Sequence, residues 1–145
     1  MAMTDRATLQ ALLNRVLEGE GPDRELDSDI TRMLLPHDAD AVTRSRYGWS
    51  YSVFGPDGWD DEWLENKSYT TSLDAALTLV PEGYWWQIAN GKRRHYDLQA
   101  GAELFFAGGP NRGDMAFSAD AATPARAFIA ACIKARMEAQ PLSNP

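Results

Sequence analysis

The apolar residues of this chain change their spacing along its length, and that change argues against an all-helical fold and against an all-β one. Near the amino end Leu9, Leu12, Leu13, Val16 and Leu17 recur at i, i+3, i+4, i+7 and i+8. That spacing lays one apolar stripe along a helix. In YGWSYSVF the period drops to two, with Tyr47, Trp49, Tyr51 and Val53 on one side and Gly48, Ser50 and Ser52 on the other. This is the pattern of a strand with one face covered. From Tyr84 to Ala119 the period is again two, and after Pro124 the helical spacing returns. The expectation is an α+β domain.

Local signals set the element boundaries. A first helix is predicted from about Thr4 to Glu18, capped by Thr4 or Asp5 and ended by Gly19 in the left-handed conformation. A second is predicted after Gly21-Pro22, with proline in its first turn, Leu26, Ile30, Met33 and Leu34 inside, and Pro36 as the stop. Residues 37–46 are polar and carry no clear signal. Thr71, with Asp74 three residues on, predicts a capped third helix burying Leu73, Ala76, Leu77 and Val80. Asn90-Gly91 between YWWQIA and KRRHYDLQ is a hairpin signal. A second hairpin is expected around Gly108–Gly113, giving a four-stranded antiparallel meander over about 84–119. Gly108–Gly113 lacks the Lys-Ser/Thr ending and the following helix of a phosphate loop. Pro124 opens a last helix to about Ala139, in which Ala125, Phe128, Ala131, Cys132 and Ala135 mark a face of mainly small residues. One domain over 1–140 and a flexible tail over 141–145 are expected.

Composition narrows the function classes. The chain has 145 residues, 44% hydrophobic and 24% charged, enough to bury a core. No stretch reaches the roughly 20 apolar residues of a membrane span, and the first residues do not read as a signal peptide. One cysteine, Cys132, allows no internal disulfide and fits a cytoplasmic setting, or the host cytoplasm for a phage-encoded protein. One cysteine and two histidines are too few for a usual zinc site, and no cofactor or metal is expected. The net charge of −7 opposes a general affinity for nucleic acid and leaves room for a basic partner.

Several groups of residues invite a chemical reading. Asp57, Asp60, Asp61, Glu62 and Glu65 crowd beside Trp59 and Trp63. Hard cations favour such oxygen-rich clusters, but the spacing is not that of an EF-hand, and a solvated turn leading into a short helix is the plainer expectation. His37-Asp38-Ala39-Asp40 offers a titratable imidazole beside two acids, on what reads as a loop. Lys92-Arg93-Arg94-His95 is the one basic cluster, and a strand would split it between two faces. Adjacent Trp85 and Trp86 must face opposite ways on a regular strand, and exposed aromatics concentrate in interfaces. Cys132 is expected to be a buried, inert thiol. No nucleophile is paired with a base, so no catalytic residue is expected.

Three stretches carry a resemblance. They are RELDSDI (24–30), YTTSLDAALTLVPEGYWW (69–86) and TPARAF (123–128), the last leading into an Ala-rich helix. Together they resemble the small phage ABA sandwich domain of bacteriophage and prophage proteins. The resemblance implies a three-layer α/β/α arrangement, a phage or prophage origin, and no established activity, so no catalytic residues carry over. The aromatic strand and acidic segment from Arg46 to Glu65 depart from it as an elaboration. The expectation for function is a phage or prophage accessory protein that binds a host or phage macromolecule, with Trp59, Trp63, Asp60, Asp61, Glu62 and Trp85 as contact residues. The alternatives are a structural virion component and a small metal- or ligand-binding enzyme using His37 and residues 57–65.

Overall fold

The computed structural model describes residues 5–89, 100–106 and 115–139. Four helices and six strands follow in the order α1 (Arg6–Glu18), α2 (Arg24–Met33), β1 (Asp40–Arg44), β2 (Gly48–Gly55), β3 (Gly58–Glu65), α3 (Leu73–Leu77), β4 (Tyr84–Ala89), β5 (Ala100–Phe106), β6 (Met115–Ala121) and α4 (Pro124–Ala139). The strands form two separate antiparallel sheets, ordered β1-β2-β3 and β4-β5-β6. The α+β class is as expected, but among the described residues there are two three-stranded sheets where one larger sheet was predicted.

The main core lies between the second sheet and the helices. On β4–β6 the residues Tyr84, Ile88, Ala102, Leu104, Phe117, Ala119 and Ala121 share the face that packs into this core. Helix α4 crosses β5 and β6, and α1 and α3 pack on α4 in turn. Every residue of α4 from Ala125 to Ile133 is buried, so this part of the helix is enclosed where the sequence predicted one covered face. Its alanines let α1 and the sheet approach closely from opposite directions. Leu9, Leu12, Leu13 and Val16 form the expected buried stripe of α1.

One cation is built into this core. Arg126 on α4 is almost fully buried. Its guanidinium donates to the carbonyls of Arg15, Val16 and Gly21. These are last-turn carbonyls of α1 and the link into α2. A helix leaves its final carbonyls without intrahelical donors and gathers negative partial charge there, so a cation suits the position twice over. Gly19 follows from this contact. Its φ is −85°, not left-handed, and a Cβ at that position would collide with the Arg126 side chain. Glycine ends α1 to make room, not to reverse the chain.

Several boundaries differ from expectation. Asp5 caps α1 and accepts from Thr8 N at 2.8 Å. Asp23 caps α2, accepting from Leu26 N at 2.9 Å, which leaves Pro22 before the cap and outside the first turn. Ser72, not Thr71, caps α3 and accepts from Ala75 N at 3.2 Å. Strand β1 lies in the polar stretch that gave no signal. Its outward residues are exposed, so no apolar alternation betrays it. β4 pairs with β5 itself, Tyr84 opposite Phe106 and Ala89 opposite Gly101, so no strand stands between them and the consecutive four-stranded meander is replaced by three described strands. The Asn90-Gly91 turn, the KRRHYDLQ segment with Lys92–His95, the Gly108–Gly113 loop and the 141–145 tail lie outside the described residues.

The start of α2 is tied to the loop before α3. Buried Asp27 accepts from Thr70 N at 2.8 Å, and Asp23 N donates to Thr70 Oγ1 at 2.9 Å. Burial pushes the Asp27 carboxyl above its ordinary range, opposed by the Thr70 hydrogen bond. Burial likewise pushes the Cys132 thiol up to about 12, so it stays protonated and unreactive at neutral pH.

Candidate functional site

The segment expected to be an acidic turn and short helix is strand β3, paired with β2 without a break from Gly48–Glu65 to Gly55–Gly58. The correction has a simple cause. Pro56 and Asp57 form a two-residue connection, and Gly58 takes a φ of +104° that favours glycine. The turn ends there, and the chain beyond it alternates as a strand must.

That alternation sorts the residues onto two faces. Trp59, Asp61, Trp63 and Glu65 share one face of the hairpin with Phe54, Ser52, Ser50 and Gly48 opposite them. Asp60, Glu62 and Leu64 share the other with Val53, Tyr51 and Trp49. The second face is the attachment. Trp49 is buried, donates from Nε1 to Ser28 O at 2.9 Å, and has the Arg32 and Arg44 guanidinium groups over its ring at 5.5 and 5.6 Å from the ring centre. Leu35, Ala39 and Trp49 form a small core of their own, with Val42, Tyr51 and Leu64 packed against it.

The first face has no such cover. Phe54 is 67% exposed, Trp59 58% and Trp63 50%. Phe54 and Trp59 meet edge to face with ring centres 5.2 Å apart. Ser52 Oγ donates to Asp61 at 2.8 Å between the aromatic groups. Gly48 lets β3 come close, because a Cβ there would meet the Leu64 carbonyl first and come within 2.8 Å of the Trp63 ring. A row of three large aromatic side chains thus stands on a sheet face, flanked by carboxylates. None of the five acidic residues from Asp57 to Glu65 is in an ion pair among the described residues.

The same alternation explains why the carboxylates do not gather. Asp60 and Glu62 point away from Asp61 and Glu65, and among the described residues no group of three or more His, Cys, Asp or Glu could hold a metal ion. His37 and Asp38 are exposed in the turn between α2 and β1. Asp40 spends one carboxylate oxygen on Ala41 N at 2.8 Å. These residues do not join the acidic strand in a site.

Trp85, expected as a contact residue with Trp59 and Trp63, belongs to the other sheet. It stacks on Phe105 at 4.1 Å with the rings 9° from parallel, and is 45% exposed. Trp86 points the other way, its ring edge-on to Phe128 of the core at 5.2 Å. Sequence reasoning missed Phe54. Its signal was its place just before the turn, which sets it across from Trp59.

Comparisons with protein-family models, curated proteins and solved structures give no match. Among the described residues no helix is long and apolar enough to cross a membrane.

Proposed function

We propose that this protein acts by binding a macromolecular partner through the exposed face of the β2–β3 hairpin. The observation that carries the reading is the row Phe54, Trp59 and Trp63, half or more exposed on a face that no described element covers. Large aromatic residues cost solubility when left in water and supply most of the binding energy where interfaces form around them. The carboxylates beside them, in a chain of net charge −7, select a protein partner with an apolar centre and a basic rim, and they oppose association with a second copy. The phage or prophage provenance belongs to the same proposal and rests on the resemblance. So does the three-layer arrangement, in which the face carrying Trp85 and Phe105 would be covered.

The test compares wild type with a Trp59→Ser/Trp63→Ser variant as baits in a bacterial lysate, followed by reconstitution with the purified captured protein. The expected result is a basic protein held by wild type, released by salt and lost from the variant by about tenfold or more in affinity. Equal retention on both baits removes the reading.

A further inference from the structure

A second surface lies at the other end of the same sheet, where charge of the opposite sign collects. A cavity of about 200 Å³ opens between the first turn of α2, the β1–β2 turn and the segment after β3. Its lining includes Arg24, Arg46 and Lys67, together with Asp27, Glu65 and Tyr47.

Most of the other described cations have a hydrogen-bond or ion-pair partner. Arg6 reaches Glu138, and Arg15 and Arg44 both reach Asp29. Arg126 is saturated by carbonyls, and Lys134 donates to Ser118 O at 2.7 Å. Arg32 lies on the Trp49 ring, and Arg136 is half-buried, where desolvation lowers its pKa and its Nε has no hydrogen-bond partner among the described residues. Arg24, Arg46 and Lys67 make no hydrogen bond or ion pair among the described residues, and Arg46 has only the face of Tyr47 at 5.6 Å. In a chain with 21 acidic residues, three cations that form no ion pair among the described residues line one volume, beside Asp27 and Glu65. Arg24 also stands at the first residue of α2, the end of a helix where a cation is disfavoured.

The walls are held in place without help from these side chains. Asn66 N donates to Tyr47 O at 2.8 Å, closing the two loops on each other. The Trp49–Ser28 hydrogen bond fixes the sheet on α2, and the Asp27–Thr70 hydrogen bond fixes the segment after Lys67 on the same helix. The cations therefore project from three anchored segments around a preformed space.

We propose that this cavity binds a phosphate group, as the free ion or as the monoester of a small molecule. Donors arriving from three segments suit a tetrahedral dianion, which offers acceptor oxygens in three directions, better than a planar carboxylate, which is met by one fork. The volume exceeds what a bare phosphate fills, and the exposed Tyr47 ring at its edge offers a surface for the group esterified to it. Asp27 and Glu65 accept hydrogen bonds from hydroxyls of that group and discourage a second phosphate. The site shares Glu65 with the end of the aromatic face but does not require that reading.

The test titrates the intact protein with inorganic phosphate, and separately with glycerol phosphate and adenosine monophosphate, following amide chemical shifts by NMR. Saturable shifts clustered at Arg24, Arg46–Tyr47 and Glu65–Ser68 are expected. Tighter binding of a monoester than of inorganic phosphate assigns the ester as the ligand, and the reverse order assigns the free ion. An Arg24→Gln/Lys67→Gln variant should lose about tenfold or more in affinity, whereas Arg32→Gln, which removes a cation outside the cavity, should not. All three altered side chains are exposed, so an unchanged unfolding midpoint confirms the fold. Absence of saturable shifts with every probe, or undiminished binding by the double variant, overturns the proposal.

Discussion

Among the described residues the two sheets have the same number of strands and the same antiparallel order, yet they relate to the rest of the chain in opposite ways. β4–β6 is floor to the main core, with Leu104, Ala102 and Ala121 buried beneath α4. β1–β3 touches α2 through Trp49 and a few neighbours and leaves Phe54, Trp59 and Trp63 in solvent. Apolar side chains on the core-facing side of the first are accounted for by packing, while on its other side Trp85, 45% exposed, is covered among the described residues only by the Phe105 ring. In the second the exposed aromatic side chains are not accounted for, because a strand exposed on one face is stable with polar residues there. An aromatic row that folding does not require is the better place to look for a partner.

The contrast can be broken by stability measurements, and the largest effect belongs to the core. Phe128→Ala should cost about 3–5 kcal/mol of unfolding free energy, the range for emptying a fully buried aromatic site. Trp63→Ala, on the exposed face, should change it by about 0.5 kcal/mol or less. Chemical denaturation of both variants checks the pair. Comparable losses would mean that the aromatic row holds the fold together, and the case for a partner there would fall.

Next in size is Arg126→Met, which keeps most of the side-chain volume and removes the donors to Arg15, Val16 and Gly21. Leaving buried carbonyls unpaired should cost about 2–4 kcal/mol. If thermal unfolding shows no loss, the guanidinium is not the clasp that closes α1.

Trp49→Phe sharpens the comparison at the joint between the two parts. It removes the hydrogen bond to Ser28 O and part of the small core, for about 1–3 kcal/mol. Amide hydrogen exchange should rise in β1–β3 while β4–β6 and α4 keep their protection, because the two sheets share no strand pairing. Uniform loss of protection would show that the sheets unfold as one unit.

The smallest effect is that of Asp27→Asn, which keeps an acceptor for Thr70 N. The Asp27 pKa is raised in the folded protein above its ordinary 3.8. The stability it contributes is therefore present below pH 3.8 and is lost as pH rises through the folded value. The variant should gain on wild type across that rise in a pH series of denaturation midpoints. A variant that loses ground with rising pH would reverse the sign and show the charged form to be the favoured one.

Much of this architecture was legible in the residues. The stripe of α1, the stops at Gly19 and Pro36, the face of β2 that carries Trp49, and the last helix from Pro124 all follow from local spacing, and each is found. β1 was not legible, because its outward side chains are exposed and its one partner is β2. β3 was misread because acidic residues are poor strand formers taken alone, and only pairing with β2 overrides that preference. The candidate surface was half legible: Trp59 and Trp63 were singled out, while Phe54 joined them and Trp85 left them once the strands were paired.

Hydrophobic period, caps and turn residues by themselves determined that this chain is α+β, where most of its helices lie, and that it carries more aromatic and acidic side chains than a core requires. These are properties of residues a few positions apart. Tertiary structure alone decided that the strands divide into two sheets, that Arg126 closes α1 from a distance of more than a hundred residues, and that three unpaired cations face one cavity. The physical reason is that strand pairing and charge pairing join segments distant in the chain, and their energies depend on which faces the packed core leaves open.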